Sequence, residues 1–193
     1  MLIGITGSSG SGKSTVSNYI EEKLNNAKLI TVDDIMKSNV RVKYRKEIQE
    51  AFNQDELDPI ALFQNIDTVN KWLDICKDNM DLEIEELVDE YSKTYDYVLA
   101  DYVFLPMLGV WDKCDLTINV KADKNIQFNR LKQRLIDSHH THNWTGDDTI
   151  RKRIECSVLD EYGYKAQHTV YNNGTLDELL NQVDNILIEI KEN

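Results

Sequence analysis

The chain has 193 residues, 41% of them hydrophobic and 29% charged, with eight Gly and only two Pro. That composition fits one ordinary globular domain and excludes collagen-like, mucin-like and wholly disordered chains. The three cysteines, Cys76, Cys114 and Cys156, are odd in number, far apart and without a CxxC pair. They argue against a disulfide framework or a thiolate zinc site and for a reducing compartment.

The net charge is −12, and it is not evenly spread. Between Glu47 and Glu90 there are 14 Asp or Glu against only Lys71 and Lys77, while the rest of the chain is neutral. Such an acidic face repels duplexes and anionic membranes, so nucleic acid and lipid are poor partner candidates. An anionic small ligand remains compatible, because charges are screened within about 10 Å. The plain reading of the acidic stretch is a solvated helical surface. No apolar run approaches the roughly 20 residues that span a bilayer. The N-terminus opens directly on a strand-like run, so a cytoplasmic protein is expected. The sequence is silent on oligomeric state.

In chain order, Leu2–Thr6 is apolar and β-branched, and a Gly/Ser run leads into helical spacing over Thr15–Leu24. Lys28–Val32 is a second strand candidate, ending at Asp33 and Asp34. Residues 34 to 93 read as helical, with Leu62, Phe63, Ile66, Val69, Trp72 and Leu73 at three- and four-residue steps. Pro59 suits a helix's first turn. Tyr97–Ala100 and Leu116–Val120 are the third and fourth strands, each followed by a polar residue at Asp101 and Lys121. A helix is predicted over about 123–135, a polar loop over 139–146, and a resumed helix near Asp148. A fifth strand over Thr169–Tyr171 ends at Asn172-Asn173-Gly174, before an amphipathic helix over Thr175–Ile190. Short strands separated by helices predict an α/β fold: a five-stranded parallel sheet flanked by helices. Ligands in such folds sit at the carboxyl ends of the strands. That singles out Gly7 onward, Asp33, Asp101, Lys121 and Asn172.

Gly7-Ser8-Ser9-Gly10-Ser11-Gly12-Lys13-Ser14 satisfies GxxxxGK[ST] in full, between a first strand and a first helix. Glycines let the loop curl its N–H groups toward phosphate oxygens, and the helix N-terminus adds its positive dipole. Lys13 can reach the β- and γ-phosphates, and the Ser14 hydroxyl can ligate Mg²⁺. ATP and Mg²⁺ are the expected cofactors. Folding is expected to tolerate loss of Lys13, an exposed loop lysine on this reading. A GTPase would carry Asn-Lys-x-Asp, but Asn119-Val120-Lys121-Ala122-Asp123 has one residue too many. The chain is also short for a motor, which leaves a small-molecule kinase.

The sequence resembles the dephospho-CoA kinases. The resemblance rests on Ile3-Gly4-Ile5-Thr6-Gly7 leading into Gly10-Ser11-Gly12-Lys13-Ser14-Thr15, and on Asp33 after the second strand. It continues in Gln127-Phe128-Asn129-Arg130-Leu131-Lys132-Gln133-Arg134, similar to a QxxRLxxR lid helix, and in Asn172-Asn173-Gly174-Thr175. It fades between about 38 and 95. It implies a P-loop kinase fold over residues 1–193, with a core over 1–34, 95–134 and 153–193. A helical acceptor-binding insertion would occupy about 35–94, and a lid about 135–152. It further implies nucleotide contacts from Gly7, Gly10, Ser11, Gly12, Lys13, Ser14, Thr15 and Asn173. The reaction implied is phosphoryl transfer from ATP to a small-molecule hydroxyl, the 3′-hydroxyl of dephospho-CoA. Three stretches depart from the family's pattern: Thr31-Val32-Asp33 stands for Asp-Ala-Asp and keeps only the second Asp, Asp101-Tyr102-Val103-Phe104-Leu105 stands for Asp-x-Pro-Leu-Leu, and Arg153-Ile154-Glu155-Cys156-Ser157 for RIxxQ. A nucleoside such as uridine is the second acceptor, and a regulatory nucleotide-binding module without turnover is the reading from another class.

Asp33 is the candidate general base; as an alternative it caps the next helix, with Asp34 the better cap. Asp101 is the candidate metal residue beside Ser14, or an acceptor contact, or a turn former. Arg134 is the candidate lid arginine that offsets charge during transfer, with Arg130, Arg151 and Arg153 read as surface residues. His139, His140 and His142 read as an exposed loop tip rather than a metal site. Trp72 reads as core, and Trp111 and Trp144 as packing near the site rather than base-stacking groups. Lys37, Arg41, Lys43, Arg45 and Lys46 offer a basic face toward a pyrophosphate-bearing acceptor, or a solvated helix side.

Overall fold

A computed structural model describes residues 1–35, 43–53, 62–137 and 146–192. Its centre is β1 (Leu2–Thr6), buried at every position because the strand lies between two helical layers. The other strands are β2 (Ala27–Thr31), β3 (Tyr97–Asp101), β4 (Leu116–Lys121) and β5 (His168–Tyr171). They form one parallel sheet in the order β2-β3-β1-β4-β5. The register pairs Ile5 with Asp101 on one side and with Ile118 on the other, and Thr6 with Asn119. Parallel neighbours require crossovers, and helices supply them. They are α1 (Lys13–Lys23), α2 (Val32–Ile35), α3 (Arg45–Phe52), α4 (Ile66–Tyr91), α5 (Lys124–Asp137), α6 (Asp147–Glu155) and α7 (Leu176–Glu192).

Side-chain alternation along β1 splits the core. Ile3 and Ile5 face α1 and α7, meeting Val16, Ile20, Val183 and Leu187. Leu2 faces the opposite layer, where Val69, Trp72, Cys76, Met80 and Ile84 form the apolar stripe of α4. Among the described residues Trp72 is the largest fully buried side chain, and its indole N–H has no hydrogen-bond partner there. A third cluster, Phe128, Leu131, Ile150 and Ile154, joins α5 to α6.

The long helix begins where its cap dictates. Asn65 Oδ1 accepts from the Thr68 N–H at 3.0 Å, and Thr68 Oγ1 accepts from the Asn65 N–H at 3.3 Å, a reciprocal capping box. The acidic face of α4 is not only a solvated surface. The Asp81 carboxylate accepts from the N–H groups of Gly109 and Val110 at 2.9 and 3.0 Å, and Glu85 pairs with Lys113 at 2.6 Å. These contacts pin the 3₁₀ turn of Gly109–Lys113 that seats the buried Trp111.

Several boundaries differ from the sequence expectations. Helix α1 starts at Lys13, where the phosphate-loop reading begins it, and ends at Lys23 rather than Leu24. Strand β2 ends one residue early, because Val32 opens α2. Asp33 and Asp34 therefore occupy the first turn of that helix, and neither stands before it as a cap. Asp101 closes β3 as its last residue instead of forming a turn. The helical reading of 34 to 93 resolves into three separate helices among the described residues. Helix α6 crosses the boundary drawn at 152 between lid and core. Lys37, Arg41, Asp58, Pro59, His139, His140, His142 and Trp144 lie outside the described residues. Among the described residues no helix is long and apolar enough to cross a membrane.

Candidate phosphate-binding site

The Gly7–Ser14 loop leaves the carboxyl end of the central strand and turns into α1. Its curvature depends on glycine at two positions in particular. Gly12 has φ +99° and serves as the N-cap of α1, and a Cβ there would lie 2.1 Å from Asn172 Nδ2. Gly10 has φ +81°, and a Cβ there would lie 2.8 Å from the Gln127 carbonyl oxygen. Side chains are excluded both by backbone conformation and by the walls that hold the loop. The N–H groups of Thr15 and Val16 both turn back to the Gly12 carbonyl at 3.0 and 3.2 Å. No acid lies in the first turn of α1 to offset the helix dipole there.

Three elements clamp this loop from outside. From α5, Gln127 is buried and accepts from the Ser8 hydroxyl at 2.9 Å. Arg130 donates to Asn172 O and Oδ1 at 3.2 and 3.1 Å, and reaches the carbonyls of Gly10 and Ser11 at 3.5 Å. From the end of β5, the buried Asn172 carboxamide donates to the Ser11 carbonyl at 2.8 Å. From α6 and the turn after it, Arg153 Nε donates to Ser9 Oγ at 3.2 Å and Ser157 Oγ accepts from the Ser9 N–H at 3.1 Å.

The loop's charge sits deeper. Lys13 Nζ lies 2.9 Å from Asp101 Oδ1, an ion pair whose side chains are 12% and 4% exposed. The expectation that Lys13 is an exposed loop residue is therefore corrected: its ammonium is tethered to a buried carboxylate. Ser17, one turn further along α1, reaches the other carboxylate oxygen at 2.5 Å. Ser14 and Thr15 are exposed at the mouth of the loop. Ser11 is buried, and its hydroxyl has no hydrogen-bond partner among the described residues.

Around the mouth, Asp33 and Arg134 are exposed on α2 and α5. Both lie within electrostatic reach of Arg153: burial lowers the Arg153 pKa, the Asp33 carboxylate raises it, and the Arg134 guanidinium lowers it. The Arg153 guanidinium also stacks over Phe63 at 5.2 Å. The reading of Arg130 and Arg153 as surface residues is thus corrected, since both are half-buried against the loop, whereas Arg151 is exposed over Phe128 at 4.5 Å. Asn173 is exposed and brackets Asp123, accepting from its N–H at 2.8 Å and donating to its carboxylate at 3.0 Å. The direct loop contact belongs to its neighbour Asn172.

The residues present fit a nucleoside triphosphate with a divalent ion. The cradle has no room for extra side-chain atoms and carries a lysine at its base. Among the described residues no three His, Cys, Asp or Glu cluster closely enough to hold a metal unaided. The Ser14 hydroxyl is exposed at the loop, while the Asp101 carboxylate oxygens are engaged by Lys13 and Ser17.

A phosphate loop after the central strand, in a parallel sheet ordered 2-3-1-4-5, defines a P-loop kinase fold. The chain belongs to the AAA domain family, whose sequence profile matches residues 3–148. It is similar to the dephospho-CoA kinase of Fusobacterium nucleatum subsp. nucleatum, at 27% identity over 201 residues and 95% of each chain. It is also similar to the dephospho-CoA kinase of Corynebacterium glutamicum, at 28% identity over 204 residues, with 98% of this chain and 97% of that one covered. The shikimate kinase of Bacteroides thetaiotaomicron shares the fold, with a TM-score of 0.56 at 14% identity over 99% of this chain and 98% of that one.

Proposed function

We propose that the protein is a small-molecule kinase that transfers the γ-phosphoryl group of ATP to a hydroxyl, with the 3′-hydroxyl of dephospho-CoA as acceptor. The observation that carries the transfer is the glycine cradle with Lys13 held at its base by Asp101. The acceptor is supported by the names of two relatives matched over nearly their whole length and by the motifs around Gly10–Thr15, Gln127–Arg134 and Asn172–Thr175.

In this reading the loop N–H groups and Lys13 bind the phosphates, with Gly7, Gly10, Ser11, Gly12, Ser14 and Thr15 lining the cradle. Asn172 and Asn173 shape the turn beside it, with Asn173 the nucleotide contact. Mg²⁺, held by Ser14 and Asp101 with the phosphates, would neutralise charge on the phosphoryl oxygens. Asp33 takes the proton of the acceptor hydroxyl as its oxygen forms the new O–P bond and the bond to the ADP oxygen breaks. Arg134 and Arg153 offset the charge on the transferring group. The insertion of about 35–94 would hold the acceptor, and the lid of about 135–152 would cover the site.

The test is incubation with ATP, Mg²⁺ and a panel of dephospho-CoA, uridine, cytidine, adenosine and pantothenate, read by mass for an added phosphate. Dephospho-CoA should have the highest kcat/KM, because a site built for one acceptor's polar groups rejects analogues by up to about 10⁴-fold. Asp33→Asn should lower kcat by about 10²–10⁴-fold with ATP affinity retained. Phosphorylation of a nucleoside with dephospho-CoA ignored would replace the acceptor, and no modification at all would favour a regulatory module.

A further inference from the structure

The Asp101 carboxylate has two partners, and they divide its oxygens. Lys13 Nζ is 2.9 Å from Oδ1, and Ser17 Oγ is 2.5 Å from Oδ2. Ser17 is fully buried on α1, and Asp101 is 3% exposed at the end of β3. The Ser17 hydroxyl is also 2.9 Å from the Lys13 carbonyl, but it has only one proton to give. That carbonyl lies one helical turn back, where the Ser17 N–H already serves it. Two oxygens 2.5 Å apart with no hydrogen between them would repel, and 2.5–2.7 Å is the length of a hydroxyl bond to a charged carboxylate. The proton therefore points at Asp101.

We propose that Ser17 is a positioning residue for nucleotide chemistry. By fixing Oδ2 it keeps Oδ1 directed at the base of the phosphate loop, so that the carboxylate stays aimed there when Lys13 moves from it to a phosphate. Without the hydroxyl, a buried carboxylate that loses Lys13 has no remaining donor and turns away, and its contribution to divalent-ion binding falls. This rests on the kinase reading above, since it assumes that Lys13 and Asp101 serve a nucleotide with a divalent ion.

The experiment titrates Mg²⁺ against binding of a fluorescent ADP analogue, for wild type, Ser17→Ala, Ser17→Cys and Ser17→Thr. Melting temperatures and steady-state turnover are recorded in parallel. Ser17→Ala should bind the analogue without Mg²⁺ within about threefold of wild type. It should need about 10-fold more Mg²⁺, or higher, to reach half of the Mg²⁺-dependent gain in affinity, the size typical of a lost group that orients a metal-facing ligand. Ser17→Thr retains the hydroxyl and should restore most of the wild-type requirement. Ser17→Cys keeps the shape with a weak donor and should fall between them, and it carries the test if the alanine variant does not fold. A lower melting temperature with an unchanged Mg²⁺ requirement in the alanine and cysteine variants overturns the proposal and leaves Ser17 structural. A wild-type protein that binds no nucleotide overturns the kinase reading itself, and this proposal with it.

Discussion

Arg153 Nε donates to Ser9 Oγ at 3.2 Å, joining a helix 144 residues downstream to the second serine of the phosphate loop. Four residues on from Arg153, in the turn that follows α6, Ser157 takes the N–H of the same serine, so Ser9 is held by both its side chain and its backbone. These two bonds tie the loop to α6 and the turn after it. The guanidinium that would face a transferring phosphoryl group is placed by that grip, beside Asp33 and Arg134.

Replacing Arg153 should therefore be felt in turnover more than in nucleotide binding. Arg153→Met keeps much of the stacking on Phe63 but removes the charge, and kcat should fall at least about 10²-fold, the scale of one lost electrostatic contact in a transition state. Ser9→Ala breaks only the tether and should cost far less. Steady-state kinetics with ATP varied would check both. Equal losses from the two substitutions would mean that Arg153 acts only by holding the loop.

Lys13→Ala should have two separable effects. Turnover should drop by at least about 10²-fold, through lost charge at the phosphates. Stability should also drop, because Asp101 would remain as a buried carboxylate partnered by Ser17 alone. Breaking a buried pair from one side costs about 3–5 kcal/mol, and the low end applies here because Lys13 is partly solvated. Adding Asp101→Asn should return most of the stability in urea unfolding and none of the activity. A single mutant as stable as wild type would show that the pair contributes nothing to the fold.

The loop and the sheet were legible because both are written in local sequence. GxxxxGK[ST] needs no distant partner to be recognised, and the short run Leu2–Thr6, with β-branched Ile3, Ile5 and Thr6 and a glycine turn after it, reads as a buried strand. What surrounds the loop was not legible in the same way. Gln127, Asn172, Arg153 and Ser157 stood within recognisable motifs, yet their roles come from crossovers that bring residues more than 100 positions apart onto one loop. Ser17 carried no signal beyond its place one turn after Lys13. Arg130 and Arg153 were misread as surface because a charged side chain on a polar helix looks solvated until the carbonyls and hydroxyls it serves are known. Asp33 sits in a helix rather than before one because β2 ends at Thr31, a one-residue boundary that periodicity does not resolve.

The three thiols give a pH prediction. Cys76 is fully buried beside Met80 Sδ at 3.8 Å, and burial pushes its pKa from 9.0 up to about 12. Cys114 is raised to about 12 by burial and then by Asp115 and Asp112, and Cys156 to about 11 by burial and Glu155. Well below pH 9 the folded and unfolded chains both keep these protons, and the stabilisation is fully present. Above that pH the unfolded chain releases them while the folded chain holds them. The native state then binds more protons than the unfolded one, and stability falls as pH rises toward 11–12, by up to about 1.4 kcal/mol per pH unit for each thiol. Urea unfolding midpoints should therefore decline between pH 8.5 and 10.5. Cys76→Ala should lower stability at pH 7 through lost packing but make the decline shallower by one thiol's share. Parallel profiles for wild type and variant would show that Cys76 ionises equally in both states. Native thiols should also alkylate far more slowly at pH 8 than those of the urea-unfolded chain, since the reactive thiolate is withheld by burial.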